Sequence, residues 1–183
     1  HSGVGKSSLL NAGLLSRLEP FYQTQYFRRD KAVGYHVQTE TLLKAKDPAS
    51  KPYLIILDQV EELYTDPRSD KSKEIHAFAA NIRQLLVSGC KIILGFRSEY
   101  FPDIRDVLRQ EQLLIAEDQE LHLHPLSREG VEEAITGLVQ DPALKSHYRL
   151  KIEEGLVTEM THDLLANQQE EAHIGPLMQY QLR

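Results

Sequence analysis

Disulfide chemistry has almost no material in this chain: a single cysteine, Cys90, stands among 183 residues. An internal disulfide is excluded, and a reducing compartment, the cytoplasm, is the expectation. Long apolar runs are missing too. The longest reach about five residues against the ~20 that a bilayer requires, and no secretory pattern opens the sequence. Positive charge is not in excess. The net charge is −6 and the pI about 5.8, which argues against nucleic acid as the main partner. Tryptophan is absent, and the tyrosines and phenylalanines lie scattered instead of in the clusters that stack bases. There is no internal repeat and no low-complexity tract.

What remains is an ordinary globular balance. Hydrophobic residues make up 41% and charged residues 26%, enough apolar material for a core and too much for a disordered or collagenous chain. The length suits one domain, or one with a small appendage. The sequence opens on His1 inside a motif and ends at Leu182 and Arg183 within a helical-looking stretch. A piece of a longer protein, cut at both ends, is therefore expected.

Hydrophobic patterning divides the chain in two. Tyr53 to Leu57 and Lys91 to Phe96 are short continuous apolar runs, which read as parallel strands buried on both faces. Between them Ile75, Phe78, Ala79, Ile82, Leu85 and Leu86 keep helical spacing over about 71–88, and Ser88-Gly89 ends the helix. Residues 7–18 read as a helix, Gln25 to Arg28 as a strand, and 41–52 as a helix end with a Pro-bounded loop. Residues 103–115 read as helical, and Glu120 to His124 alternates as a less buried strand. After Pro125 the pattern is helical only. Ser127 is a good N-cap, with Val131, Ala134, Ile135, Leu138 and Val139 forming one stripe behind it. Ile152, Leu156, Met160 and Leu164 mark a helix over 150–165, and another starts near Pro176. The expectation is an α/β core over 1–125 and the start of a helical domain over 126–183.

The strongest local signal is HSGVGKSS at residues 1–8, which completes all but the first glycine of the Walker A pattern G-x-x-x-x-G-K-[ST]. Gly3 and Gly5 free the backbone so that N–H groups, Val4 included, curl around phosphate oxygens. The helix from Ser7 and Ser8 onward aims its unpaired N–H groups and positive dipole end at the same anion. Lys6 neutralises β- and γ-phosphate charge, and the Ser7 hydroxyl suits Mg2+. A nucleoside triphosphate is the implied ligand.

Leu54 to Asp58 then reads as a Walker B strand, delivering a carboxylate that holds Mg2+ beside the phosphate loop. Gln59 follows where a water-orienting acid often stands, so Glu61 or Glu62 is the candidate base, with Glu61 preferred. Arg97, at the end of the second buried strand, faces the crevice where open α/β sheets bind ligands and is a candidate γ-phosphate sensor. A plain reading also exists for each of these. Glu61 and Glu62 begin a solvated helix, and Arg97 pairs with Glu99 or Asp103.

These residues together resemble the STAND NTPases, signal-transduction ATPases with numerous domains, in their bacterial novel STAND branch. The similar stretches are Ser2 to Leu15, Ile56 to Thr65 with its Asp-Gln-x-Glu-Glu-Leu, Lys91 to Phe101, Leu123 to Ser127 with Glu132 to Ile135, and Gly175 to Tyr180. They run in family order along the whole chain. The resemblance implies a three-layer parallel sheet of the ASCE P-loop type in the order 5-1-4-3-2, with its first strand lying before His1. Without that strand the stretch is expected to fold poorly on its own. Residues 25–52 are short for the family's second strand and helix. The resemblance further implies an ATP/ADP-binding, slowly hydrolysing switch that oligomerises, with Pro176 in a lid element near the adenine. Sensor repeats and effector domains are implied elsewhere in the parent chain.

Two other readings share the core. One is a nucleotide-binding scaffold with negligible turnover, suggested by Gln59; the other is an AAA+ remodelling or loader ATPase, which should carry an acid directly after Asp58. A GTPase is disfavoured, because no Asn-Lys-x-Asp and no Asp-x-x-Gly follows the phosphate loop. His122 and His124 share a strand face but lack further ligands at fixed spacing for zinc. Cys90 reads as a small core residue.

Overall fold

The structure, a computed structural model, describes residues 5–30, 32–45, 51–65, 71–149 and 151–166. Gly3, Val4 and Pro176 lie outside the described residues, as does the side chain of Leu138. Two compact units are present: residues 6–122 and, among the described residues, Gly5 together with 123–149 and 151–166.

The first unit is built on three parallel strands in the order β1-β2-β3: Gln23–Arg28, Tyr53–Asp58 and Lys91–Gly95. Register aligns their C-terminal ends, with Arg28 opposite Asp58 and Asp58 opposite Gly95. Every residue of β2 is buried, as its unbroken apolar run requires. Alternation then sorts its side chains. Leu54 and Ile56 face one layer, with Leu10, Leu14, Leu15, Leu18, Tyr22, Tyr26 and Ile93. Tyr53, Ile55 and Leu57 face the other, with Tyr35, Phe78, Ile82, Leu85, Ile104 and Leu108. Each fully buried Ile or Leu contributes about 1.5–3 kcal/mol.

The layer over Leu54 and Ile56 is a single helical stretch over residues 6–18. It begins as α1 (Lys6–Ser8), widens to a π-helix over Leu9–Leu15, and ends as α2 (Ser16–Leu18). Its i→i+5 winding still brings Leu10, Leu14 and Leu15 onto the sheet. The opposite layer comprises α3 (Gly34–Ala45), α5 (Lys71–Val87) and α6 (Phe101–Gln110), with the short α4 (Glu62–Thr65) leading away from β2. The room between Gln25 and Pro52 thus suffices for a full strand and a three-turn helix.

A buried ion pair ties the two sides of β1's exit together. Arg29 Nε and Nη2 donate to Glu74 Oε1 and Oε2 at 3.0 and 2.7 Å, with the Arg29 side chain 2% exposed. Burial alone would raise the Glu74 pKa, and the Arg29 guanidinium and His36 more than offset it, holding the carboxyl below its usual range. Gly34 closes the turn at φ +73°, and a Cβ there would run into the Glu74 carboxylate.

Three expectations are corrected. Lys91 to Gly95 is half-buried along Ile92, Ile93 and Leu94, and among the described strands only β2 pairs with it. The helix expected over 103–115 stops at Gln110. Gln112 takes φ +62°, and beyond it Leu113 and Ile115 pack on the core in extended chain while Leu114 is exposed. Residues 120–124 form no strand, and no described strand pairs with them.

The second unit is helical: α7 (Arg128–Gln140), α8 (Pro142–Tyr148) and α9 (Leu156–Ala166). Ser127 caps α7, its Oγ accepting from the Gly130 N–H at 3.2 Å, and Asp141 caps α8 through the N–H groups of Ala143 and Leu144. Val131, Ile135 and Leu164 form its core, with Ile152, Val157, Met160 and Leu165 packed around them. The helix expected over 150–165 starts at Leu156. Gly155, at φ +84°, turns the chain just before it, and Ile152 reaches the core from outside the helix.

Candidate functional site

All three strands end at one edge of the sheet, and the helical stretch from Lys6 begins there. Gly5, just before it, takes φ +83° with nothing within 4 Å of a hypothetical Cβ, an open glycine turn into a helix start. Because side chains alternate along a strand, Asp58 points to the face that Leu54 and Ile56 share with this helix.

Asp58 is fully buried. Its Oδ2 accepts a 2.7 Å hydrogen bond from the Tyr26 hydroxyl on β1, and its backbone carbonyl accepts from the buried Tyr35 hydroxyl on α3. The side chain of Ser7 approaches the same Tyr26 hydroxyl. Burial first, and the Asp58 carboxylate second, push the Tyr26 pKa up to about 12, leaving a neutral phenol at neutral pH. Lys6 and Ser7 are half-buried at this edge, and Ser8 is exposed.

The turn after β2 shapes the rest. Gln59 adopts φ +62°, a left-handed conformation that few non-glycine residues take outside special sites. The Val60 N–H donates to the Gly95 carbonyl at 3.0 Å, tying the turn to the end of β3. Glu61 is thereby turned inward and buried, with Oε1 at 3.5 Å from Arg97 Nε. Burial raises the Glu61 pKa, while the charges of Lys6 and Arg97 pull it down. Arg97 also reaches Glu99 at 3.3 Å, donates to the Tyr100 hydroxyl at 3.2 Å and lies over that ring. The short turn Ser98–Tyr100, leading into α6, holds it. Glu62 lies 3.9 Å from Arg28 at the end of β1. Of the residues expected at the site, Lys6, Ser7, Asp58, Glu61 and Arg97 thus come to one sheet edge, and Glu62 takes a separate partner.

Two buried oxygens here have no hydrogen-bond partner among the described residues: Asp58 Oδ1 and Glu61 Oε2. Buried polar atoms are almost always satisfied, so a carboxylate oxygen left open suits a cation or an ordered water. The Ser7 hydroxyl and the Asp58 carboxylate are hard oxygen donors of the kind Mg2+ accepts, so these residues fit the ion. Tyr26, Tyr35 and Gly95 were not anticipated. Tyr26 precedes Arg28 by two residues on β1, so alternation gives it the face of Asp58, but only the cross-strand register brings the two side chains together.

A protein-family model described as Novel STAND NTPase 1 matches residues 1–183. No curated protein and no solved structure matches the chain. No described helix is long and apolar enough to cross a membrane.

Proposed function

Since the chain belongs to the Novel STAND NTPase 1 family, we propose that it is the ATP-binding, slowly hydrolysing switch domain of a signalling ATPase. Family membership implies nucleotide binding. The finer reading concerns what the nucleotide does. Its supporting observation is the buried Asp58 carboxylate at the strand end, one oxygen held by the Tyr26 hydroxyl and the other without a partner among the described residues.

In this reading Gly3, Val4, Gly5, Lys6, Ser7 and Ser8 cradle the phosphates. Lys6 neutralises their charge, and Ser7 and Asp58 hold the metal side. When bound, Mg2+ neutralises charge on the β- and γ-phosphate oxygens. Glu61 is the preferred base that orients and deprotonates water. Burial has already raised its pKa, which favours proton uptake, and one of its oxygens is open. Glu62 is the weaker candidate. Arg97, 3.5 Å from Glu61, is placed to exchange that carboxylate for a γ-phosphate and so report its presence. Residues 1–125 then form the core and 126–183 the start of a helical lid, with Pro176 near the adenine. Self-oligomerisation, sensor repeats and effector domains elsewhere in the parent chain, and a cytoplasmic location complete the proposal.

A second reading, a nucleotide-dependent scaffold with negligible turnover, draws on Gln59 after Asp58 and on the Arg97 contact that already engages Glu61. Single-turnover hydrolysis by the full chain separates the two. A slow, Mg2+-dependent release of phosphate supports the switch, and tight ADP and ATP binding without release supports the scaffold. Preference for GTP in competition would overturn the adenine assignment of both.

A further inference from the structure

The two carboxylate oxygens of Asp58 stand in different situations. Oδ2 accepts from the Tyr26 hydroxyl at 2.7 Å. Oδ1 is buried without a partner among the described residues and lies toward Gly95, where a Cβ would stand 3.0 Å from it. The hydroxyl that makes this distinction comes from β1, which the phosphate-loop and acidic-strand motifs do not include. Tyr26 sits in register with Ile56, two residues before Asp58 and on the same face.

A phenol has one proton. Tyr26 gives it to Asp58 Oδ2. That bond engages one carboxylate oxygen and leaves the lone pairs of Asp58 Oδ1 open. A cation needs lone pairs and is repelled by hydroxyl protons, so this polarity suits a metal and opposes a second donor.

We propose that Tyr26 is a positioning residue of the nucleotide site, its hydroxyl holding Asp58 Oδ2 so that Asp58 Oδ1 is presented to the magnesium ion that accompanies a nucleotide. The assignment rests on the nucleotide reading above. Tyr26 itself does not touch the metal. Its ring packs with Leu10, Leu54 and Ile56, and that packing survives loss of the oxygen.

The test compares the ADP affinity of the full chain in Mg2+ and in chelator for the wild type, Tyr26→Phe, Asp58→Asn and the double variant. Tyr26→Phe is expected to lose about tenfold of the Mg2+-dependent tightening. Its affinity in chelator and its nucleotide-free melting temperature should stay near wild type, and adding it to Asp58→Asn should change nothing further. Should the Phe variant not fold, Tyr26→Met, apolar and adaptable, carries the same expectation. The wild-type ratio in Tyr26→Phe overturns the assignment. So does an equal loss with and without Mg2+, which marks a merely structural residue, or a gain in Mg2+, which marks a hydroxyl that competes with the metal. A wild-type chain that binds no ADP overturns the nucleotide reading itself, whereas ADP binding with an unchanged ratio overturns only the role of Tyr26.

Discussion

Gly95 ends β3 without a side chain at the place where a Cβ would stand 3.0 Å from Asp58 Oδ1 and 2.9 Å from Leu10 Cδ1. The strand end therefore admits the buried carboxylate from one side and the phosphate-loop helix from the other. Gly95→Ala should displace both. Overpacking of this kind costs about 1–3 kcal/mol, so a lower melting temperature is expected, together with roughly tenfold weaker Mg2+-dependent nucleotide binding. An Ala variant with wild-type melting and binding would show that the close approach is not needed.

Glu61 and Glu62 are neighbours in sequence with different surroundings, one turned in toward Arg97 and the other toward Arg28. In single-turnover hydrolysis Glu61→Gln should slow phosphate release by about a hundredfold or more, with nucleotide affinity retained. Glu62→Gln should stay near wild type. Unchanged turnover in both removes the assignment of a base, and a loss confined to Glu62→Gln moves it by one residue.

The Arg29–Glu74 pair should set part of the acid stability. The folded pKa of Glu74 lies below its usual value, so the unfolded chain binds more protons there as pH falls. The pair's contribution is fully present above the ordinary glutamate range and disappears as pH drops through the lower folded value. Glu74→Gln takes the carboxylate charge away from the buried Arg29 guanidinium, a loss of about 3–5 kcal/mol at neutral pH. Denaturant midpoints for wild type and variant should converge on acidification. A gap that stays constant down to low pH would contradict the pairing.

Much of this arrangement is local and hence legible in the sequence. The unbroken run Tyr53 to Leu57 marks a strand buried on both faces, its terminal acid identifies Asp58, and the spacing of Ile75, Phe78, Ile82 and Leu85 fixes the facing helix. Legibility fails where neighbours decide. Lys91 to Gly95 looks as apolar as β2 yet is paired on one side only among the described strands, and Glu120 to His124 alternates correctly but pairs with no described strand. Nothing in the pattern of residues 103–115 reveals that Gln112 breaks the helix by taking a positive φ. At the site, motif residues stand out because their spacing within one segment is diagnostic. Tyr26, Tyr35 and Gly95 act through cross-strand register and through packing between segments far apart in sequence, which no single window contains.

The most direct measurement is a titration of the nucleotide-free full chain with ATP and ADP in Mg2+, wild type beside Lys6→Ala. One saturable site in the wild type, weakened by roughly a hundredfold or more when the lysine charge is removed, is the predicted result. Equal affinity in the two proteins would place the nucleotide elsewhere and contradict the account.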